Sequence, residues 1–206
     1  MKKILALTGA FMALAIYSFA QEGGNVEFGV HAGYNFSTAA SGQMTNSSYK
    51  SGVNLGVSAD YFFSDRWSIK AKPSYDQKGW NDGFIDLNGT GSTTTNYHLN
   101  YITVPVMANW HFGRTRNWYL NFGPYAGFLM SAKESALSTD LKQYFKSTDF
   151  GLAFGIGVKL PVSETTKISL EYDGQSGLSD IVKSNMGSSI RNVRGAFNVG
   201  LNFMIN

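Results

Sequence analysis

The sequence predicts an all-β protein: a closed eight-stranded antiparallel up-and-down β-barrel that crosses a membrane and follows a cleavable signal peptide. Three observations carry this. Apolar residues recur at every second position in eight segments, which puts them on one face of a strand and would scatter them around a helix. The connections between those segments alternate in length, short then long. Charged residues are only 15% of the chain while aromatics reach 15% and glycine 23 residues, against about 25% charged in soluble domains, a composition suited to a lipid-facing surface.

The N-terminus comes first. Residues 1–20 carry Lys2 and Lys3, an uncharged apolar run from Ile4 to Tyr17, and small residues at Ser18 and Ala20 before Gln21. That pattern is a secretory signal peptide. A single anchor helix is the alternative, but the run falls short of the roughly 20 apolar residues that span a bilayer. The expected mature domain is 21–206, one unit of ordinary size. The chain has no cysteine, so lipidation of an N-terminal Cys, disulfides and thiolate metal sites are excluded. Of the formal charge of +3, Lys2 and Lys3 supply two. The remainder is too small to imply a nucleic-acid partner.

The strands follow in order. In the first, Val26, Phe28, Val30, Ala32, Tyr34 and Phe36 alternate with Glu27, Gly29, His31, Gly33 and Asn35. The second sets Val53, Leu55, Val57, Ala59 and Tyr61 against Asn54, Gly56, Ser58 and Asp60, and the third sets Trp67, Ile69, Ala71, Pro73 and Tyr75 against Ser68, Lys70, Lys72, Ser74 and Asp76. The fourth, about Tyr97 to Phe112, changes phase: Tyr97, Leu99 and Tyr101 are out of step with Ile102, Val104 and Val106. A β-bulge near Tyr101 to Pro105 is the expected repair. The fifth runs from Trp118 to Met130, the sixth from Asp149 to Leu160, the seventh from about Lys167 to Asp173, and the eighth presents Phe197, Val199, Leu201, Phe203 and Ile205.

Short connections are expected at Ser64 to Arg66, Gly113 to Asn117 and Pro161 to Thr165. Long ones are expected near Ser37 to Tyr49, Asn81 to Asn96, Ala132 to Lys146 and Gly174 to Ile190. Short turns at one rim and long loops at the other are the habit of bacterial outer-membrane barrels. The rival is a soluble barrel, apolar within and charged without. Against it stand large aromatics near strand ends (Tyr34, Phe36, Tyr61, Trp67, Tyr75, Tyr172), glycine-rich polar stripes that suit a narrow interior, and segments of about 9 to 12 residues, enough to cross hydrocarbon at a tilt. Lipid tolerates no unpaired backbone, so the eighth strand is expected to close on the first.

Five segments in order, SYDQKGW (Ser74 to Trp80), YITVP (Tyr101 to Pro105), GPYAGFLMSAK (Gly123 to Lys133), DFGLAFGIGV (Asp149 to Val158) and GLSDI (Gly177 to Ile181), make the chain similar to the PorT-like family of small outer-membrane β-barrels, also called the outer membrane protein β-barrel domain family, porin family proteins among them. The resemblance covers most of the mature chain. It implies the barrel fold and integral residence in a Gram-negative outer membrane after export, and little about activity. The founding type is linked to type IX protein secretion, a role not carried over to this chain. One departure is the last residue, Asn206, where many such barrels end in an aromatic; Phe203 is the nearest substitute.

With the polar face inward, the lumen receives Glu27, Asp60, Asp76, Asp149, Glu171 and Asp173 beside Lys70, Lys72, Lys78, Lys159, Lys167 and Arg194, acids and bases in balance. Eight strands leave an interior just wide enough for side chains, so a packed polar core is expected. A narrow channel for ions or small solutes is the first alternative, and a lipid-modifying enzyme is the second. The histidines His31, His98 and His111 share no motif with a serine and an acid; only His98 lies toward the long loops, with Asp82 or Asp86 as neighbours in loop two. Metal-ligand spacings are missing too. No catalytic, cofactor-binding or metal site is expected. Gly151, Gly155 and Gly157 sit at even offsets within a strand and match no phosphate-binding loop; they read as room inside the barrel. The expected partners are outer-membrane lipid, the β-barrel assembly machinery during biogenesis, and an envelope protein or extracellular ligand through loops two (Asn81 to Asn96) and three (Lys133 to Lys146).

Overall fold

The computed structural model describes residues 24–41, 47–86, 91–184 and 187–205. Residues 1–20, where a signal peptide is expected, and the terminal Asn206 lie outside them. Nine antiparallel strands form one sheet: β1 (Val26–Ser41), β2 (Lys50–Phe62), β3 (Trp67–Ala71), β4 (Ser74–Asp86), β5 (Ser92–Phe112), β6 (Trp118–Glu134), β7 (Thr148–Pro161), β8 (Thr166–Gly177) and β9 (Ile190–Ile205). Two of them, β3 and β4, are one strand position. Both hold the same register against β2 (Asp60↔Lys70, Asn54↔Asp76) and against β5 (Lys70↔Met107, Asp76↔Tyr101). The break falls at Lys72 and Pro73, where proline has no N–H to give the ladder; the Pro73 carbonyl still accepts from Val57 N–H at 3.0 Å.

The ring therefore has eight positions, and it closes. From Val26↔Ile205 to Ser41↔Ile190, β1 pairs with β9 along its whole length. The predicted stripe points outward: Phe197 is 62% exposed and Phe203 42%, an arrangement that only hydrocarbon satisfies. Aromatic rings gather in two bands. Trp67, Trp110, Phe112 and Trp118 contact one another in series beside the short turns, and Phe36 contacts Tyr49, Tyr172 and Phe197 toward the long loops.

Two expectations need correction. The register does shift at Asn100/Tyr101, but the extra residue is Met130 on β6 (Asn100↔Ser131, Tyr101↔Leu129). β5 keeps its parity throughout, so Leu99 and Tyr101 are buried inside the barrel. The apolar phase changes because the interior changes from polar to apolar toward the outer end. Loop two is also shorter than expected: residues 81–86 and 92–96 are strand, paired from Gly83↔Thr95 to Asp86↔Ser92 after a bulge. Asp82 there has φ 58°, a left-handed conformation that Asp tolerates better than most residues. β8 and β9 likewise extend to Gly177 and from Ile190.

Candidate functional site

The inward side chains divide the interior into tiers. Near the short turns, Lys159 on β7 pairs with Glu27 on β1 and with Asp60 on β2 (3.0 Å), and Lys167 reaches Glu27 at 2.9 Å. In the middle, Glu171 on β8 accepts from Lys70 (3.0 Å), Lys72 and the Tyr119 hydroxyl (2.6 Å), and Lys72 continues to Asp173 at 2.5 Å. Arg194 on β9 then joins Asp173 to Asp76 on β4, the latter at 2.6 Å. Above these, Lys78 lies 3.6 Å from Asp149 and over the Tyr101 and Tyr125 rings. All twelve predicted charged residues are brought together, and only Lys167, with a side chain 25% exposed, is not buried.

An ion inside a low-dielectric barrel costs several kcal/mol unless it is paired and hydrogen-bonded. Equal numbers of acids and bases meet most of that demand and amides add to it, while Lys78 Nζ and Arg194 Nε are buried without a hydrogen bond. Asn35, Asn109, Asn192 and Asn198 each donate to a lumen carboxylate. Glycine supplies the room: a Cβ on Gly157 would lie 2.4 Å from the Tyr119 ring, the same tyrosine that hydrogen-bonds Glu171. The void in this region, beside Lys72, Asp173 and Arg194, is about 10 Å³, room for one water at most.

Toward the long loops the interior turns apolar. Trp80, Leu99, Tyr101, Leu129 and Ala132 from the strands enclose Leu141 and Phe145 of loop three and Ile181 of loop four, the long connection expected from Gly174 to Ile190. Backbone bonds dock the two loops on each other, with Lys146 N–H donating to the Ile181 carbonyl and Lys183 N–H to the Tyr144 carbonyl, both at 2.8 Å. A 3-10 turn at Lys142–Tyr144 carries Phe145 into the mouth. Each such buried side chain contributes roughly 1.5–3 kcal/mol, so the plug is a folded part of the barrel. Sequence reasoning gave loop three to external partners and missed the plug. The available signals were the phase change at Tyr97 to Tyr101 and the isolated apolar residues Leu141, Phe145 and Ile181 in otherwise polar loops.

Each histidine hydrogen-bonds a serine: His31 with Ser74 (3.0 Å), His111 with Ser68 (3.0 Å) and His98 with Ser135 (2.9 Å). The first two pairs are sealed in the lumen. His98 sits on the outer rim, where burial, and then the charge of Lys50, hold its imidazole below the usual value. Its expected neighbour Asp82 bonds Ser48 instead, and Asp86 falls outside what the structure describes of side chains. The carboxylate adjacent in sequence to Ser135, Glu134, is engaged by the backbone N–H groups of Ala136, Leu137 and Thr139 and the Thr95 hydroxyl. Among the described residues no His, Asp and Glu cluster is arranged to hold a metal.

The comparisons follow the same lines. A family model described as outer membrane protein beta-barrel domain matches residues 19–183. Similar folds include Neisserial surface protein A (16% identity, 85% of this chain and 96% of that one, TM-score 0.51) and OprG from Pseudomonas aeruginosa (14%, 89% and 96%, 0.53). Outer Membrane Protein W of E. coli is a third (16%, 90% and 100%, 0.50). At these identities the likeness is one of fold. No curated protein matches the chain.

Proposed function

The chain belongs to the outer membrane protein beta-barrel domain family, and from that premise we propose that it is a closed, non-conducting scaffold whose outer end is its interaction surface. It is an integral outer-membrane barrel with a polar lumen. The observation that carries the further reading is the stacking of two closures: a charge-balanced ion-pair ladder through the lumen and an apolar plug built from loops three and four across its mouth. Conduction would require both to open, and neither is a single hinged element. The non-enzymatic reading is supported by the engagement of the lumen carboxylates with lysine, arginine and amide groups rather than with imidazoles. Within the family we place the chain with the PorT-like members, on the segments SYDQKGW, YITVP, GPYAGFLMSAK, DFGLAFGIGV and GLSDI. Partners are then expected at the loop end: outer-leaflet lipid, an envelope protein or an external ligand, with the assembly machinery acting during biogenesis.

Planar-bilayer recording of the purified protein tests this. The expected result is no discrete current steps above background. Stable single-channel steps, abolished by heat denaturation, would overturn it in favour of a narrow pore.

A further inference from the structure

Near the outer mouth the barrel wall is interrupted beyond the end of the β6–β7 ladder at Phe128↔Thr148. Residues 139–141 return beside the top of β6, with the Leu141 N–H donating to the Ala132 carbonyl at 2.9 Å and the backbone of Asp140 paired antiparallel with that of Lys133. The ladder resumes where the Leu129 N–H meets the Ser147 carbonyl, also at 2.9 Å. Between these points the chain turns inward to bury Phe145, and the Met130 carbonyl accepts from Lys142 Nζ at 2.8 Å. The excursion leaves an open slot of about 510 Å³ between β6, loop three and Lys183 of loop four, with Leu129 and Phe145 beneath it.

We propose that this slot holds the phosphate of a lipid headgroup from the outer leaflet. Two ammonium groups line it, and each commits one N–H to a carbonyl, Lys142 to Met130 and Lys183 to Gln143 at 3.0 Å. An ammonium has three donors, so both retain donors for an anion. The acid in the lining is Asp140, whose Oδ1 accepts the Lys142 backbone N–H at 2.8 Å. The lining is thus net cationic over an apolar floor. Its position selects a lipid over a soluble anion: Met130 (53% exposed), whose carbonyl holds Lys142, and Phe128 (46%), which pairs with Thr148 next to Ser147, belong to the lipid-facing stripe, so the slot opens at headgroup level, where basic groups attract anionic lipid. This deepens the reading of the loop end as an interaction surface, since it names a partner there. A conducting barrel would leave the slot intact, so the two tests fail independently.

The test uses the folded protein in phosphatidylcholine bicelles with and without phosphatidic acid, read by backbone amide NMR shifts. The expected shifts centre on Leu141 to Ser147 and Lys183, and weaken about tenfold in apparent affinity for Lys142→Gln or Lys183→Gln, which keep a donor for the carbonyl but lose the charge. Arg114→Gln, on a short turn at the opposite rim, should change nothing. No shifts, shifts indifferent to both glutamine variants, or equal shifts from inorganic phosphate at matched phosphate concentration would each overturn the proposal, the last by assigning a soluble anion. Should a glutamine variant disorder the loop, Lys142→Arg and Lys183→Arg decide: retained binding supports the site, and loss with an intact loop spectrum refutes it.

Discussion

Replacing Arg194 by methionine probes the ladder where it spans the barrel. The residue is 3% exposed, and its guanidinium ties β9 to Asp76 on β4, at 2.6 Å, and to Asp173 on β8. After Arg194→Met, Asp173 keeps Lys72 at 2.5 Å and Asn198 at 2.8 Å. Asp76, fully buried, keeps hydrogen bonds from Asn35 and Thr103, both neutral. Lys78, the other cation that acts on Asp76, is paired with Asp149 and makes no ion pair with it, so the carboxylate loses its contacting cation, and breaking a buried pair in this way costs about 3–5 kcal/mol. Arg194→Met with Asp76→Asn restores lumen neutrality and should recover more than half of that loss, because the penalty lies in the orphaned charge rather than in the missing attraction. Urea unfolding of the refolded barrel in phospholipid vesicles, followed by tryptophan fluorescence, measures both. A single-variant cost below about 1 kcal/mol, or a double variant less stable than the single, would refute the claim that lumen charges are held by pairing.

Three further predictions concern the rim, the plug and the lipid face. Hydrogen bonds to Glu134 from Thr139, Thr95, Leu137 and Ala136 outweigh the opposing effect of burial and hold its carboxyl down at about 2. A depressed acid contributes stability above its unfolded value, here 4.5, and loses it as pH falls toward 2; the protection factors at Ala136, Leu137 and Thr139, taken against intrinsic exchange at each pH, should fall over that window, and Glu134→Gln should leave them level across it. Phe145→Ala should destabilise loop three by about 3–5 kcal/mol, the usual range for a buried phenylalanine, seen as faster proteolysis there, yet leave bilayer currents at background because the ladder below is independent of the plug. Val199→Lys, on the lipid face opposite Ala32, should cost about 2–4 kcal/mol in vesicle unfolding if it sits near mid-membrane; a loss under about 0.5 kcal/mol would place that face in water.

Strand existence, the closing pair and the lumen membership of all twelve charged residues were legible in the sequence because period two is a local property. Glu27, His31 and Asn35 share a face whatever lies across the barrel. Partner choice was not legible: that Lys159 meets Glu27 and Asp60, or that Arg194 meets Asp76, depends on the stagger of strands far apart in the chain. The plug escaped for a related reason. Leu141, Phe145 and Ile181 are single apolar residues among polar ones, with no period to reveal a buried face, and their burial arises only when two loops dock. The phase change at Leu99 and Tyr101 was visible and was attributed to a bulge on that strand, whereas the extra residue sits on its neighbour at Met130.

The packed lumen is tested most directly by chemical access. The chain has no cysteine, so a single introduced thiol reports one position without background. Ser58→Cys is nearly isosteric at a lumen site 8% exposed, and Thr115→Cys marks an exposed short turn as the reference. A charged, water-soluble thiol reagent applied to the folded protein in vesicles open to both sides should label Thr115→Cys readily and Ser58→Cys only after unfolding. Labelling of Ser58→Cys in the folded barrel at the rate of the turn would mean a water-filled lumen and would contradict the account.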